Sequence, residues 1–185
     1  MTTATSDQKY TPRELAQALL DTRNLFFRER GHIMHVGSPR MITYATAPHD
    51  GWLYTRSIFG ENMASSIEVM TNIPSGPVFI HHTDGELSVP DEFKGQGSEI
   101  AKGVHQTLDR ARTMIHPEIE GGLEMTNPTG IGKFTYRVDR MGNWQEIKFT
   151  EFVVWEPRNS RRDVPVYRAV NTGFLPTKAS YFGFE

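Results

Sequence analysis

The stretch from Trp144 to Trp155, WQEIKFTEFVVW, carries the clearest strand pattern in the chain. Its residues alternate between the two faces of an extended strand, so one face collects four apolar side chains and a single carboxylate: Ile147, Phe149, Glu151, Val153 and Trp155. The stretch Lys133–Asp139 alternates in the same way and is separated from Trp144 only by the short Arg140–Asn143 turn. We therefore predict that the two stretches pair as neighbouring antiparallel strands.

Further short stretches with strand character lie on both sides of this hairpin. They are His32–Val36, Met41–Thr46, Trp52–Phe59, Pro77–His82, Glu86–Val89, Leu123–Thr126 and Val164–Val170. A turn is predicted at Thr83-Asp84-Gly85, and Gly60–Met70 is interpreted as a short helix. Because the strands occur in runs and do not alternate with helices, the predicted fold class is α+β, with a curved antiparallel sheet or a small barrel or cone that encloses a cavity.

Two amphipathic helices are predicted to cover this sheet. Thr11 stands at the N-cap of the first helix, and Pro12 and Glu14 complete a capping box. The second helix begins at Ser98 and ends before Pro117. Its apolar stripe is expected to pack on the sheet, whereas its charged residues are expected to lie in water: Glu99, Lys102, Asp109, Arg110 and Arg112.

The composition excludes several classes of protein. With 20 Lys+Arg against 22 Asp+Glu and a net charge of −2, the chain lacks the basic excess of nucleic-acid-binding proteins. The absence of cysteine excludes disulfide frameworks, thiolate metal sites and cysteine nucleophiles. No apolar run is long enough to span a membrane, and the start lacks the pattern of a secretory leader. We therefore expect a cytoplasmic protein without membrane or nucleic-acid partners.

The chain is expected to form one domain. No repeat or linker is evident in residues 10–185, and the polar residues 1–9 are predicted to be a flexible N-terminal segment. The tail from Phe174 onward contains Tyr181, Phe182 and Phe184, which is too aromatic for a free end. We predict that it docks on this subunit or on a neighbouring copy, and the second case would make the protein a homo-oligomer.

Two charged residues interrupt apolar rows and are the first candidates for chemistry. Glu151 interrupts the row described above, and Arg56 interrupts the row of Trp52, Tyr54 and Ile58. A buried carboxylate must take up a proton, pair with a cation or serve as an acid or base. Two interpretations therefore stay open: Glu151 and Arg56 form a structural ion pair, or they act on a ligand.

Adjacent histidines provide a further candidate. His81 and His82 follow one another on a predicted strand, so their side chains point to opposite faces and cannot share one metal ion. His82 lies on the face of Val78 and Ile80 and is the better candidate for acid–base catalysis, whereas His81 would face the cavity with Phe79 if the other face is the inward one. The turn after it would bring Glu86 close, which leaves open whether His81 or His82 binds a metal with Glu86, although no metal site is predicted.

The chain is rich in aromatic residues, with 11 Phe, 6 Tyr and 3 Trp, which suffice to line a pocket for a small hydrophobic or aromatic ligand. The candidate substrate-binding residues are Tyr44, Trp52, Tyr54, His81, Tyr136 and Phe149. With Glu151, His82 and Arg56 as catalytic candidates, we predict a lyase, dehydratase, isomerase or cyclase that uses acid–base chemistry and no cofactor. The alternative is a non-catalytic carrier or sensor of the same architecture.

Overall fold

The computed structural model describes residues 10–29, 32–38, 41–59, 65–73, 76–116, 122–139, 142 and 146–174. These residues contain two helices, α1 (Pro12–Glu29) and α2 (Gly97–Arg112), and a 3-10 turn over Asp91–Gln96 that leads into α2. The strands are β1 (His32–Ser38), β2 (Met41–Ala45), β3 (Trp52–Phe59), β4 (Ser65–Asn72), β5 (Gly76–Leu87), β6 (Leu123–Thr129), β7 (Gly132–Val138), β8 (Ile147–Pro157) and β9 (Val164–Phe174).

All of these strands belong to one antiparallel sheet, in the order β1-β2-β3-β4-β5-β9-β8-β7-β6. The predicted pairing across the Arg140–Asn143 turn is confirmed, because β7 and β8 are neighbours with Phe134 opposite Trp155 and Val138 opposite Glu151. Within the described ranges no ladder joins β1 to β6. The α+β class and the antiparallel sheet are therefore confirmed, whereas the sheet does not close into a barrel.

The sheet is built from two halves that have the same order of elements. In the first half α1 precedes the meander β1–β5, and in the second half α2 precedes the meander β6–β9. The last strands of the two meanders, β5 and β9, pair at the centre of the sheet. The two halves thus share the order of a helix followed by an antiparallel meander, although the first meander has five strands and the second has four.

The two helices cover the same face of the sheet, α1 against β3 and α2 against the strands of the second half. The predicted capping box of α1 is present: the Thr11 N–H donates to Oε2 of Glu14 at 2.7 Å, and the Glu14 N–H donates to Oγ1 of Thr11 at 3.3 Å. On α2, Gly103 faces Phe134, and a Cβ at this glycine would lie 2.4 Å from the Phe134 ring. The missing side chain therefore lets α2 approach β7 closely.

Two local predictions are wrong. Residues 65–70 belong to β4 and not to a helix, because the alternating Ile67 and Val69 suit a strand that pairs with β3 on one side and β5 on the other. The turn predicted at Thr83-Asp84-Gly85 is absent, since β5 continues to Leu87 by pairing with β9. The predicted flexible segment 1–9, the aromatic tail after Phe174 and most of the 140–143 turn lie outside the described residues.

Candidate functional site

The face of the sheet beneath the helices buries a cluster of charged side chains. They come from both helices and from β3, β4, β5 and β8, and each is at most 6% exposed: Arg23, Arg56, Glu68, His81, Arg112 and Glu151. We call this set the buried charge cluster. Because an isolated charge in the protein interior is costly, the position of each member depends on the partners it has there.

Glu68 lies at the centre of the cluster. Nη2 of Arg23 is 2.5 Å from its Oε2, and Nη1 of Arg112 is 3.2 Å from its Oε1. Nε of Arg56 and Nδ1 of His81 are more distant, at 3.8 and 3.4 Å. Burial alone would raise the pKa of Glu68, but Arg23 and Arg112 hold it well below its ordinary value. Glu68 is therefore an ionised carboxylate that anchors both helices to the sheet.

Glu151 has a different set of partners. The hydroxyl of Tyr136 donates to its Oε2 at 2.9 Å, and that of Tyr167 donates to its Oε1 at 3.2 Å. Nη2 of Arg112 lies 3.7 Å from Oε1. Burial and the nearby carboxylate raise the pKa of both phenols, so the two tyrosines stay neutral and serve as donors. Glu151 thus has the contacts of a structural carboxylate.

The two carboxylates occupy equivalent places in the two halves. Each lies on the strand before the last of its meander, with a tyrosine on the preceding strand two residues before the register partner of the glutamate. The equivalent pairs are Glu68 with Glu151 and Tyr54 with Tyr136. The two tyrosines differ, because the Tyr54 hydroxyl has no hydrogen-bond partner in the described part of the chain, whereas the Tyr136 hydroxyl donates to Glu151.

The ion pair between Glu151 and Arg56, one of the two interpretations left open by the sequence, is not formed. Nη1 of Arg56 lies 3.3 Å from Oδ1 of Asp109 on α2, and the arginine beside Glu151 is Arg112. Alternation along a strand predicts the face on which a side chain lies but not its distance across the sheet, and β4, β5 and β9 separate β3 from β8. The expectation that Arg112 lies in water is also wrong, because two buried carboxylates compensate its charge.

The structure exchanges the places expected for the two adjacent histidines. His81 lies on the helix-covered face beside Glu68, and its ring stacks on Phe149 with centroids 5.7 Å apart. His82 lies on the opposite face, stacked on Phe59, and is therefore not near Glu151. Without the turn, His82 and Glu86 are separated by roughly 13 Å of extended strand. Among the described residues no group of three or more metal-binding side chains is present.

An open pocket of about 440 Å³ lies between α1, β2, β3 and α2, beside the buried charge cluster. Its apolar walls are formed by Phe26, Phe27, Ile42, Tyr44 and Ile58. Its polar groups are Arg56, His105 and Asp109, which we call the polar corner. The pocket thus combines aromatic walls with one guanidinium that belongs to both the pocket and the charge cluster.

The predicted substrate-binding residues do not converge on this pocket. Tyr44 lines it, whereas four of the others lie in the sealed core: Tyr54, His81, Tyr136 and Phe149. Trp52 lines a second, separate groove beside α1. The residues of β2 and β3 that line the pocket are cross-strand neighbours, because the antiparallel register places Tyr44 opposite Arg56 and Ile42 opposite Ile58.

The two site residues on α2, His105 and Asp109, have no distinctive sequence pattern, and Asp109 is expected from the sequence to lie in water. They are one helical turn apart, so both face the pocket. Burial lowers the pKa of His105, and the negative charge of Asp109 offsets this only in part. The available signal was their i,i+4 spacing at the edge of the apolar stripe, which resembles the pattern of an ordinary exposed helix face.

Comparison of the chain with protein-family models, with curated protein sequences and with solved structures found no match. No helix in the described part of the chain is both long and apolar enough to cross a membrane.

Proposed function

We propose that the chain binds a small planar aromatic molecule that carries an anionic group, in the pocket between α1 and α2. The single observation that carries this proposal is Arg56. It is only 6% exposed, yet it lies at the wall of an open pocket whose other walls are aromatic and aliphatic. A guanidinium in such surroundings binds a carboxylate or another planar oxyanion through paired hydrogen bonds.

The size and walls of the pocket support an aromatic ligand. A volume of about 440 Å³ lies within the usual range of small-molecule sites. Phe26 is in edge-to-face contact with Phe27 and Tyr44, at centroid distances of 5.1 and 6.3 Å. Such rings prefer the edge or the offset face of another ring, so they favour a flat aromatic group over an aliphatic one.

The present partners of Arg56 also support an anionic ligand. Asp109, the closer carboxylate, is half-exposed, and ion pairs with such residues contribute little stability. A ligand carboxylate could therefore displace Asp109 from Nη1 of Arg56 at little cost.

Calorimetric titration with benzoate, phenylacetate and the neutral benzyl alcohol tests this proposal. We expect both carboxylates to bind and the alcohol to bind at least about 10-fold more weakly. Arg56→Gln should remove the preference, whereas Asp109→Asn should tighten carboxylate binding because it removes the competing anion. Arg137→Gln, which breaks an exposed ion pair with Glu124, is the matched control and should change nothing.

Equal binding of the alcohol and the carboxylates would contradict the proposal. Unchanged carboxylate affinity in a folded Arg56→Gln variant would do the same. The Asp109→Asn variant keeps the test decisive if Arg56→Gln does not fold, because Asp109 is half-exposed and its removal leaves the buried charge cluster intact.

A second candidate function is acid–base conversion of the bound ligand, the class of activity that the sequence predicts. The observation that favours it is His105, which lines the same pocket as Arg56. A carrier or sensor would return the ligand unchanged, whereas an enzyme would alter it. Under both candidate functions Glu151 has a structural role in the second half of the fold. The residues of the polar corner then replace Glu151 and His82 as the candidates for catalysis.

A further inference from the structure

The polar corner contains the groups that proton transfer at carbon needs. His105 supplies an imidazole, and Asp109 supplies a carboxylate one helical turn further along α2. Arg56 reaches this corner from β3, with its Nη1 3.3 Å from Oδ1 of Asp109. A base beside a cation that holds a developing oxyanion is the arrangement used to ionise a C–H bond next to a carbonyl group.

Building on the proposed function, we infer that the pocket catalyses keto–enol proton transfer on a small aromatic 2-oxo acid, with His105 as the base. The two oxygens of the 2-oxo acid unit lie side by side, which matches the planar donor fork of Arg56. The aromatic ring of the substrate would occupy the space between Phe26, Phe27 and Tyr44.

The proposed step needs only the imidazole of His105, the guanidinium of Arg56 and the substrate, and it consumes no further reactant. The imidazole of His105 takes the proton from the carbon next to the carbonyl group, and the C–H electron pair forms the new carbon–carbon double bond. The carbonyl π pair moves to oxygen, which becomes an oxyanion beside Arg56. The imidazolium then returns the proton to that oxygen, giving the enol, or to carbon, giving back the ketone.

His105 suits this role better than the other buried groups. His81 and Glu151 are 2% and 1% exposed and are held by partners inside the core. His105 is half-buried at an open pocket. The charged groups that act on it are Asp109 and Arg112 on α2 and Arg56 on β3. Burial lowers the pKa of His105, so its imidazole is neutral and able to accept a proton near pH 7.

The test uses phenylpyruvate as the probe and follows deuterium incorporation at its C3 position by proton NMR in D₂O. We expect the protein to accelerate exchange above the buffer rate. His105→Gln should reduce the acceleration by at least about 100-fold while phenylpyruvate affinity stays within about 3-fold. His49→Gln, a variant of an exposed histidine beside Asp50, is the matched control and should exchange at the normal rate. The rate should also rise with pH through the lowered pKa of His105.

The outcomes separate this inference from the proposed function. If phenylpyruvate binds with the Arg56-dependent preference but exchanges no faster than in buffer, the inference is wrong and the binding function stands. Exchange that is unaffected by His105→Gln also overturns the assignment of the base. If no aromatic carboxylate binds at all, the proposed function itself fails.

Discussion

The two halves of the molecule place a glutamate at the same point of the same architecture and then surround it differently. Glu151 in the second half accepts hydrogen bonds from Tyr136 and Tyr167 and has one guanidinium nearby. Glu68 in the first half has three guanidinium groups and an imidazole around it. The second half is thus stabilised mainly by neutral donors, and the first half by charges.

This difference supports the position of the proposed ligand site at Arg56. Hydrogen bonds from buried phenols fix Glu151 inside a closed core, which leaves it no contact with solvent. In the first half the surplus of positive charge extends through Arg56 to the open pocket. The comparison therefore supports a structural role for Glu151 and favours Arg56 as the anchor of the proposed ligand site.

The largest expected effect is that of Glu68→Gln. This variant leaves Arg23 and Arg112 buried without their shared carboxylate, and we expect the free energy of unfolding to fall by about 3–5 kcal/mol. The matched variant Glu151→Gln keeps an acceptor for one of the two tyrosines, places an NH2 group against the other, and leaves Arg112 paired with Glu68, so its loss should be about 2 kcal/mol. Urea titrations of both variants measure the difference, and equal losses would show that the two sites are energetically alike.

The two equivalent tyrosines, Tyr136 and Tyr54, should differ in how much stability the protein loses when each is replaced by phenylalanine. Tyr136→Phe removes a 2.9 Å hydrogen bond to a buried carboxylate and should cost about 1–2 kcal/mol of unfolding free energy. Tyr54→Phe removes a buried hydroxyl that has no partner in the described part of the chain, so it should cost about nothing or stabilise slightly. A large loss in Tyr54→Phe, measured by thermal melts, would mean that this hydroxyl is paired in solution.

Mild acid should weaken the fold through His81, with a further contribution from His105, whose pKa burial also lowers. Burial lowers the pKa of the His81 imidazole below its ordinary value of 6.5, so the unfolded chain binds the proton at a higher pH than the folded one. Stability should therefore decline as the pH falls from 7 to 5.5. Glu68 does not contribute in this window, because its stabilisation is lost only below about pH 4.5, the ordinary pKa of its carboxyl. The decline should be smaller in His81→Gln, and an identical decline would assign it to another group.

The smallest effect is expected for His82, the other member of the histidine pair. It is half-buried on the face of the sheet opposite to the charge cluster, where it stacks on Phe59. His82→Gln should change the free energy of unfolding by less than about 0.5 kcal/mol at pH 7. A loss as large as that of Tyr136→Phe would show that this outer face is packed against something in solution.

Local patterns carried most of the fold information. The alternation is clear over Tyr54–Ile58 and Ile147–Glu151, so it predicts which side chains face the helices, including Arg56 and Glu151. It is weak in β5, where Phe79 and Ile80 are apolar on opposite faces. For that reason the faces of His81 and His82 could not be assigned from the sequence, and the structure reverses them.

The arrangement of the site depends on contacts that no local pattern encodes. The charged neighbours of Glu68 include Arg23 and Arg112, which lie far from it in the chain. A buried arginine near a helix end has the sequence pattern of an exposed one, because only the position of the compensating carboxylates distinguishes them. The polar corner arises in the same way, from α2 meeting β3.

The central pairing of β5 with β9 has a consequence for how the chain reaches this structure. Each meander pairs strands that are close in sequence, but the β5–β9 ladder joins residues as far apart as Ile80 and Phe174. Closing such a long loop costs more entropy than forming a hairpin, so this ladder is expected to set the folding rate. The guanidinium of Arg112 lies between Glu68 of one half and Glu151 of the other. We therefore expect its contact with the first-half residue Glu68 to form only after the rate-limiting step. Mutation of Arg112 should then accelerate unfolding more than it slows folding.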